Sequence, residues 1–414
     1  MRIDPDHGGG DSAPGATMAR WSRRAILRGA LAALAATEAA ARSASTPGIV
    51  GDWAGDAWND TRQTRIRVAR DGVGALMVEI AYGEDARMGR LPADMHRVPA
   101  TVRADGVVVD VSPRLRITLT HTPDDRVFAR WERAAPWRDV RYALLRRAGP
   151  EPWPALGRDR PWRMLRIPVP RANGDDDELV ATFYPAAGRA PAPLALLIHG
   201  DVTPGQEGAV IHHGAIARLL ASRGWAVVEP MHRGAGGSRG RFFPEFPVDR
   251  SLDAAYGDAM AAAAFEEFDA VVDAARGWPG IDARRPLMVG QSRGGLFAIL
   301  QAARRPADIA GVINFAGGAW CDADEPATSA GPYARARFAE AGALARAPTL
   351  WLYADTDLCV SPATSRAAFD AYRAAGGSGD LVMSSGLYPD GHGLILRPSY
   401  WEAPVLAFIG RLTR

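Results

Sequence analysis

The sequence predicts a two-part chain: a small antiparallel β-sandwich or barrel, then a doubly wound, mostly parallel α/β sheet. Three observations predict it. Residues 48–148 alternate apolar and polar side chains in period two, punctuated by turn dipeptides. From residue 171 to the C-terminus, near-continuous apolar runs alternate with segments of helical period. Between the two lies GPEPWPALGRDRPWRMLRIPVP, residues 149–170, which reads as a connector rich in Pro, Trp and Arg. Alternation suits strands with one face buried, whereas apolar runs separated by helices suit strands covered on both faces.

The first 44 residues read as an export signal. From Met18 the chain runs MARWSRRAILRGALAALAATEAAARSAS. Ser22, Arg23, Arg24 and Arg28 precede an Ala/Leu-rich segment, and small residues follow around Ala39–Ser45. That is the order of a secretory signal, and the paired arginines resemble a twin-arginine signal. The reading implies an exported protein, periplasmic or extracellular. Beyond this segment no apolar run approaches the roughly 18 residues of a membrane span, so no stable span is expected once the signal is removed. The 49 basic and 47 acidic residues of the 414-residue chain are interspersed, giving a net charge of +2. A nucleic-acid surface needs clustered positive charge, so no nucleic-acid partner is expected.

In the first part, RIRVARDGVGALMVEIAY, ATVRADGVVVDVS, RLRITLTH, VFARWER and VRYALLRR read as short strands. Asp71-Gly72, Asp105-Gly106 and Pro123-Asp124-Asp125 supply their turns. Trp53 and Trp58 offer aromatic faces to a sugar or a partner, but such side chains more commonly pack in a core or against an edge.

In the second part, LALLIHG, WAVVEPM, PLMVG, GVINFAGG, PTLWLYAD and DLVMSSG are the buried strands. AIARLLASRG, DAMAAAAFEEFDAVVDAARGW, SRGGLFAILQAARRP, ATSRAAFDAYRAAGG and SYWEAPVLAFIGRL are the helices between and after them. Glu266 and Glu267 fall on the second of these helices and read as its solvated face.

This frame gives weight to PLMVGQSRGGL, residues 286–296, where Gly290, Ser292 and Gly294 form G-x-S-x-G between a strand and a helix. There the pattern is a nucleophile elbow: the turn is too sharp for side chains on either side of the serine. Ser292 then needs a base, and histidine titrates near working pH. Of eight histidines, only His392, in LYPDGHGLIL, follows Ser292. The chain order of such triads is Ser, acid, His, which selects it. The acid comes from WLYADTDLCVSP, where Asp357 is preferred over Asp355, the latter reading as a turn-former; Asp390 shapes the histidine loop. The oxyanion site needs two backbone N–H groups: Arg293 after the nucleophile, and Gly200 or Asp201 in IHGDVTPG. The Arg293 side chain reads equally as an anchor for an anionic substrate group or as half of a salt bridge.

No metal site is indicated, because the adjacent His212 and His213 cannot face one ion as an i,i+4 pair would. No cofactor is implied either: EPMHRGAGGSRGRF lacks the Lys-Ser/Thr ending of a phosphate-binding loop. Cys321 and Cys359 stand as either a disulfide or two free thiols.

Taken in order, LLIHGD, RGAGGSRG, VGQSRGG, INFAGG, WLYADTDLCVSP and DGHG resemble the dienelactone-hydrolase-like branch of the α/β-hydrolase superfamily, which includes relatives of the prolyl-oligopeptidase catalytic domain. The opening GIVGDWAGDAW resembles the start of the small β-domain that precedes the catalytic domain in some secreted α/β-hydrolases. The acid segment resembles Y-G-x-x-D-x-x-V-P with Ala354 in place of Gly, which implies Asp357 as the acid. Dienelactone hydrolases carry a cysteine nucleophile where this chain has Ser292, and IHGDVTPG lacks the tyrosine of the prolyl peptidases. The resemblance implies residues 171–414 as the catalytic domain of a serine hydrolase acting on small-molecule carboxylic esters. Two other functions fit the sequence: a peptidase of the prolyl-oligopeptidase type, and a catalytically silent protein that binds glycan or cell wall.

Overall fold

The computed structural model describes residues 48–56, 63–82, 98–113, 115–134, 140–148, 162–170, 176–188, 190–201, 210–240, 254–319, 331–387 and 390–413. The export signal, Trp58, Cys321 and most of the connector lie outside the described residues.

The first part is one nine-stranded antiparallel sheet: β1 (Gly51–Asp56), β2 (Gln63–Arg70), β3 (Leu76–Tyr82), β4 (Val98–Pro99), β5 (Thr101–Arg103), β6 (Gly106–Ser112), β7 (Leu115–His121), β8 (Arg126–Arg133) and β9 (Val140–Arg147). The strand order is β4-β3-β2-β1-β9-β8-β7-β6-β5. Its two outer strands, β4 and β5, are consecutive in the chain with only Ala100 between them. The sheet therefore curls until its edges meet, which makes a nearly closed barrel rather than a sandwich. The inward residues of the period-two pattern fill it, including Trp53, Ile66, Val78, Val109, Ile117, Leu119 and Leu145. Trp53 is fully buried, donates its indole N–H to the Ile49 carbonyl at 2.8 Å, and carries the Arg147 guanidinium over its ring. It is a core residue, not a stacking platform.

The second part is an eight-stranded sheet: β10 (Arg163–Pro170), β11 (Asp176–Tyr184), β12 (Ala192–Ile198), β13 (Ala226–Pro230), β14 (Ile281–Gln291), β15 (Gly311–Phe315), β16 (Thr349–Ala354) and β17 (Gly379–Ser384). Its order is β10-β11-β13-β12-β14-β15-β16-β17; β11 is antiparallel to both of its neighbours, β10 and β13, and every later neighbour pair is parallel. The connector reading of 149–170 needs correction at its end, because Arg163–Pro170 is the edge strand of this sheet. Pro168 and Pro170 disguise it, and an edge strand is where missing N–H donors are tolerated.

Among the described residues six helices cover the sheet: α1 (Gly214–Ser222), α2 (Ala254–Arg276), α3 (Arg293–Arg304), α4 (Gly331–Leu344), α5 (Pro362–Ala374) and α6 (Pro398–Leu412). Alternate strand residues go to opposite faces. Leu194, Leu196, Ile198, Trp351 and Tyr353 pack under α2 to α5, and Ala195, Leu197, Ile313, Phe315 and Leu352 pack under α1 and α6. The α1/α6 face is also where the barrel docks. Phe128, Tyr142 and Leu144 share that cluster with Trp401 and Val405, Phe128 stacks on Tyr142, and Arg130 grips the Glu402 carboxylate with Nε 2.8 Å from both oxygens. Apolar side chains of this size each contribute about 1.5–3 kcal/mol on burial, so barrel and sheet support each other.

Candidate active site

The parallel strands all end at the same edge, and their C-terminal ends bring Ser292, Asp357 and His392 together. β14 ends at Gln291, Ser292 makes the turn, and α3 begins at the next residue. Ser292 sits at φ 55°, ψ −126°, a conformation that costs a non-glycine residue about 1–3 kcal/mol. Surrounding hydrogen bonds hold it there. Its N–H donates to the Phe315 carbonyl at 2.9 Å, and its own carbonyl accepts from Gly295, Leu296 and Gly318. Glycine is required on both sides: a Cβ on Gly290 would stand 2.1 Å from the Gly294 carbonyl oxygen, and one on Gly294 2.4 Å from that of Ile198.

His392 lies in a 3₁₀ turn, Gly391–Leu396, after β17. Its Nε2 is 2.9 Å from Ser292 Oγ, and its Nδ1 is 3.1 and 3.2 Å from the two carboxylate oxygens of Asp357. A carboxylate only accepts, so the proton belongs on Nδ1 and Nε2 is free to accept from the serine hydroxyl. Asp357 follows β16, is buried, and accepts the N–H groups of Cys359 and Val360 at 2.8 Å each. Asp355 is exposed, and among the described residues only its backbone is engaged, with Ser384. Asp390 caps the histidine turn: one oxygen accepts from His392 N–H at 2.9 Å and from Leu358 N–H at 3.2 Å, tying the His392 loop to the Asp357 loop. Cys359, two residues after Asp357, is disulfide-bonded.

The residues singled out for the oxyanion site adjoin Ser292. Arg293 is the first residue of α3, where N–H groups have no acceptor within the helix. A Cβ on Gly200 would lie 2.8 Å from Ser292 Cβ, so the end of β12 runs directly against the serine. The Arg293 side chain turns inward and pairs with Asp201, which answers the choice between substrate anchor and salt bridge in favour of the latter.

A second polar cluster flanks this edge, and it corrects the reading of Glu267 as solvated. Glu267 is buried, 2.5 Å from His232 Nδ1, and accepts from Arg233 N–H and Nε at 3.0 and 3.1 Å. Arg233 also reaches Asp177 and the exposed Glu266. Burial pushes the Glu267 carboxyl up, but His232 and Arg233 outweigh it and hold the group below its ordinary value. Such a group stabilises the fold above its unfolded pKa of about 4.3, and that contribution is lost as pH falls through the lower folded value. Glu267→Ala should therefore cost about 3–5 kcal/mol at pH 7, because it leaves Arg233 buried with less of its counter-charge. In urea titrations the deficit against wild type should shrink between pH 7 and pH 3; a deficit independent of pH would rule the ion pair out as its source. His213 and His212 are likewise structural, His213 on the buried Glu229 and His212 against Thr182 and Trp162.

Among the described residues no cluster of three or more His, Cys, Asp or Glu gathers as metal ligands, and no helix is long and apolar enough to cross a membrane. A cavity of about 410 Å³ beside Phe183 and Trp278 opens where β12 and β14 begin, at the opposite edge from Ser292.

A sheet in which the successive strands β10 to β17 take the order 1-2-4-3-5-6-7-8, with a serine at positive φ after the fifth, is the α/β-hydrolase fold, here preceded by an antiparallel barrel. Solved structures similar to this chain include an acetyl xylan esterase from Paenibacillus sp. R4, at 18% identity over 62% of this chain and 85% of that one, with a TM-score of 0.44. Others are the esterase Pf2001 of Pyrococcus furiosus, at 13% identity over 60% and 90% with a TM-score of 0.42, and a candidate dienelactone hydrolase from Klebsiella pneumoniae, at 20% identity over 61% and 96% with a TM-score of 0.40. No family model and no curated protein matches the sequence.

Proposed function

We propose that this chain is an exported serine hydrolase of small-molecule carboxylic esters. The observation that carries the reading is the continuous hydrogen-bonded line from Asp357 through His392 to Ser292 Oγ, with the serine on a strained turn. His392 Nε2 takes the hydroxyl proton as Ser292 Oγ attacks the ester carbonyl. The carbonyl π pair moves onto oxygen, where the Arg293 N–H and that of Gly200 or Asp201 receive it. Collapse expels the alcohol, protonated by His392, and leaves an acyl-enzyme that water hydrolyses by the same route. Asp357 keeps the imidazole in the tautomer that accepts at Nε2. Export rests on the signal read from Met18.

Carboxylates free to bind a substrate amino terminus would favour the peptidase alternative, and Glu267 is committed to His232 and Arg233. That favours esters. The test is labelling of the purified protein with a fluorophosphonate, followed by turnover of p-nitrophenyl acetate and of peptide p-nitroanilides. Labelling with esterase activity in excess of amidase activity is expected. Absence of labelling would sink the hydrolase reading, and amidase in excess would transfer it to the peptidase.

A further inference from the structure

Arg293 stands next to the nucleophile with its side chain only 6% exposed, and each guanidinium nitrogen is engaged inside the protein. Nε donates to the Ala319 carbonyl at 3.2 Å, Nη1 lies 2.9 Å from Met260 Sδ, and Nη2 meets the Asp201 carboxylate. One cation therefore ties together the start of α3, the loop after β15 and the loop after β12, three segments that surround Ser292. Burial lowers its pKa to about 9, which leaves it charged at neutral pH, and a charge so buried is retained where it is paired.

Through the Asp201 side chain, Arg293 holds one end of the peptide between Gly200 and Asp201. Its other end is also fixed. The backbone N–H of His232 donates to His199 Nε2 at 3.2 Å, which places the imidazole proton on Nδ1, and Nδ1 donates to the Gly200 carbonyl at 2.6 Å. This peptide is trans, so its N–H, that of Asp201, points opposite to its carbonyl and away from His199. A peptide plane gripped at the carbonyl by His199 and through the Asp201 carboxylate by Arg293 has one orientation left.

We infer that Arg293 is a positioning residue for the oxyanion site: its ion pair with Asp201 aims the Asp201 N–H at the oxygen of the tetrahedral intermediate, beside the N–H of Arg293 itself. The inference rests on the serine-hydrolase reading and narrows its second oxyanion donor to Asp201. Such a pair acts when negative charge forms, so its loss should appear in turnover and not in ground-state binding.

The experiment compares wild type with Asp201→Asn, Asp201→Glu and Arg293→Lys. It measures kcat and KM for p-nitrophenyl acetate and the affinity of an aryl trifluoromethyl ketone, which forms the oxyanion on the enzyme. All values are normalised to sites titrated by fluorophosphonate. Asp201→Asn keeps the backbone N–H but weakens the clamp; kcat should fall about 10- to 100-fold, somewhat less than removal of a whole oxyanion donor. Ketone affinity should fall by the same factor with KM within about twofold, and Asp201→Glu should recover part of both. Should Arg293→Lys fail to fold, the Asp201 variants still decide, since that side chain is 34% exposed. Wild-type kcat and ketone affinity per titrated site in Asp201→Asn would overturn the inference alone. A wild type that neither labels nor turns over would overturn the hydrolase reading and this inference with it.

Discussion

Ser292→Ala should abolish turnover of p-nitrophenyl acetate, with kcat per mole of protein down by about 10⁶-fold and fluorophosphonate labelling lost. The size follows from the triad acting as a unit. Without Oγ, His392 has no hydroxyl to deprotonate, and what remains is the rate an oxyanion site and binding alone provide. Substrate affinity should be unchanged, which separates loss of the nucleophile from loss of the fold. Ser292→Gly makes a second point about the same backbone. The strain of about 1–3 kcal/mol at φ 55° vanishes when there is no Cβ, while glycine costs about 0.5–1 kcal/mol in chain entropy. The net is a gain on the order of 1 kcal/mol, so Ser292→Gly should be as inactive as Ser292→Ala yet resist urea better. If the glycine variant is the less stable of the two, the turn does not store the strain its dihedrals imply.

The proposed triad was legible because fold topology imposes chain order. Once the apolar runs define parallel strands, only one histidine follows the elbow, and two aspartates compete at the end of one strand. The choice between Asp357 and Asp355 depends on which side chain the loop after β16 turns inward. In the structure two consecutive N–H groups, of Cys359 and Val360, draw in the Asp357 carboxylate and leave Asp355 in solvent. Other features had no local signal. Helix α4, GPYARARFAEAGAL, buries only Ala334, Phe338, Ala341 and Gly342, a stripe of mostly small residues too weak to mark a helix in sequence. Strand β10 is masked by its prolines. The burial of Glu267 depends on a loop that brings His232 and Arg233 over α2, and the Arg293–Asp201 pair joins residues on different strand ends. Helical and strand periods place residues on faces; they do not say which faces meet.

Asp357→Asn should lower kcat by about 10³–10⁴-fold with KM nearly constant, the second largest effect of any single substitution here. The cause is a change of tautomer. In this variant the carbonyl oxygen of the new amide would stay with the Cys359 and Val360 N–H groups, since Oδ1 of Asp357 already accepts both. The amide NH₂ would then take the Oδ2 position, 3.2 Å from His392 Nδ1, and a donor facing a ring nitrogen favours the tautomer in which that nitrogen accepts. The imidazole proton moves to Nε2 and points at Ser292 Oγ, so the ring cannot take the hydroxyl proton. The fold should survive, because the two backbone donors keep an acceptor. Asp357→Ala provides the contrast: it leaves both N–H groups without a partner and should cost about 1–3 kcal/mol for each group that water does not reach. The ¹⁵N shifts of the His392 ring report the tautomer directly, and Asp355→Asn serves as the control with near wild-type kcat. More than about a tenth of wild-type kcat in Asp357→Asn would remove Asp357 from the proposed triad, because a misplaced proton on Nε2 is incompatible with that result.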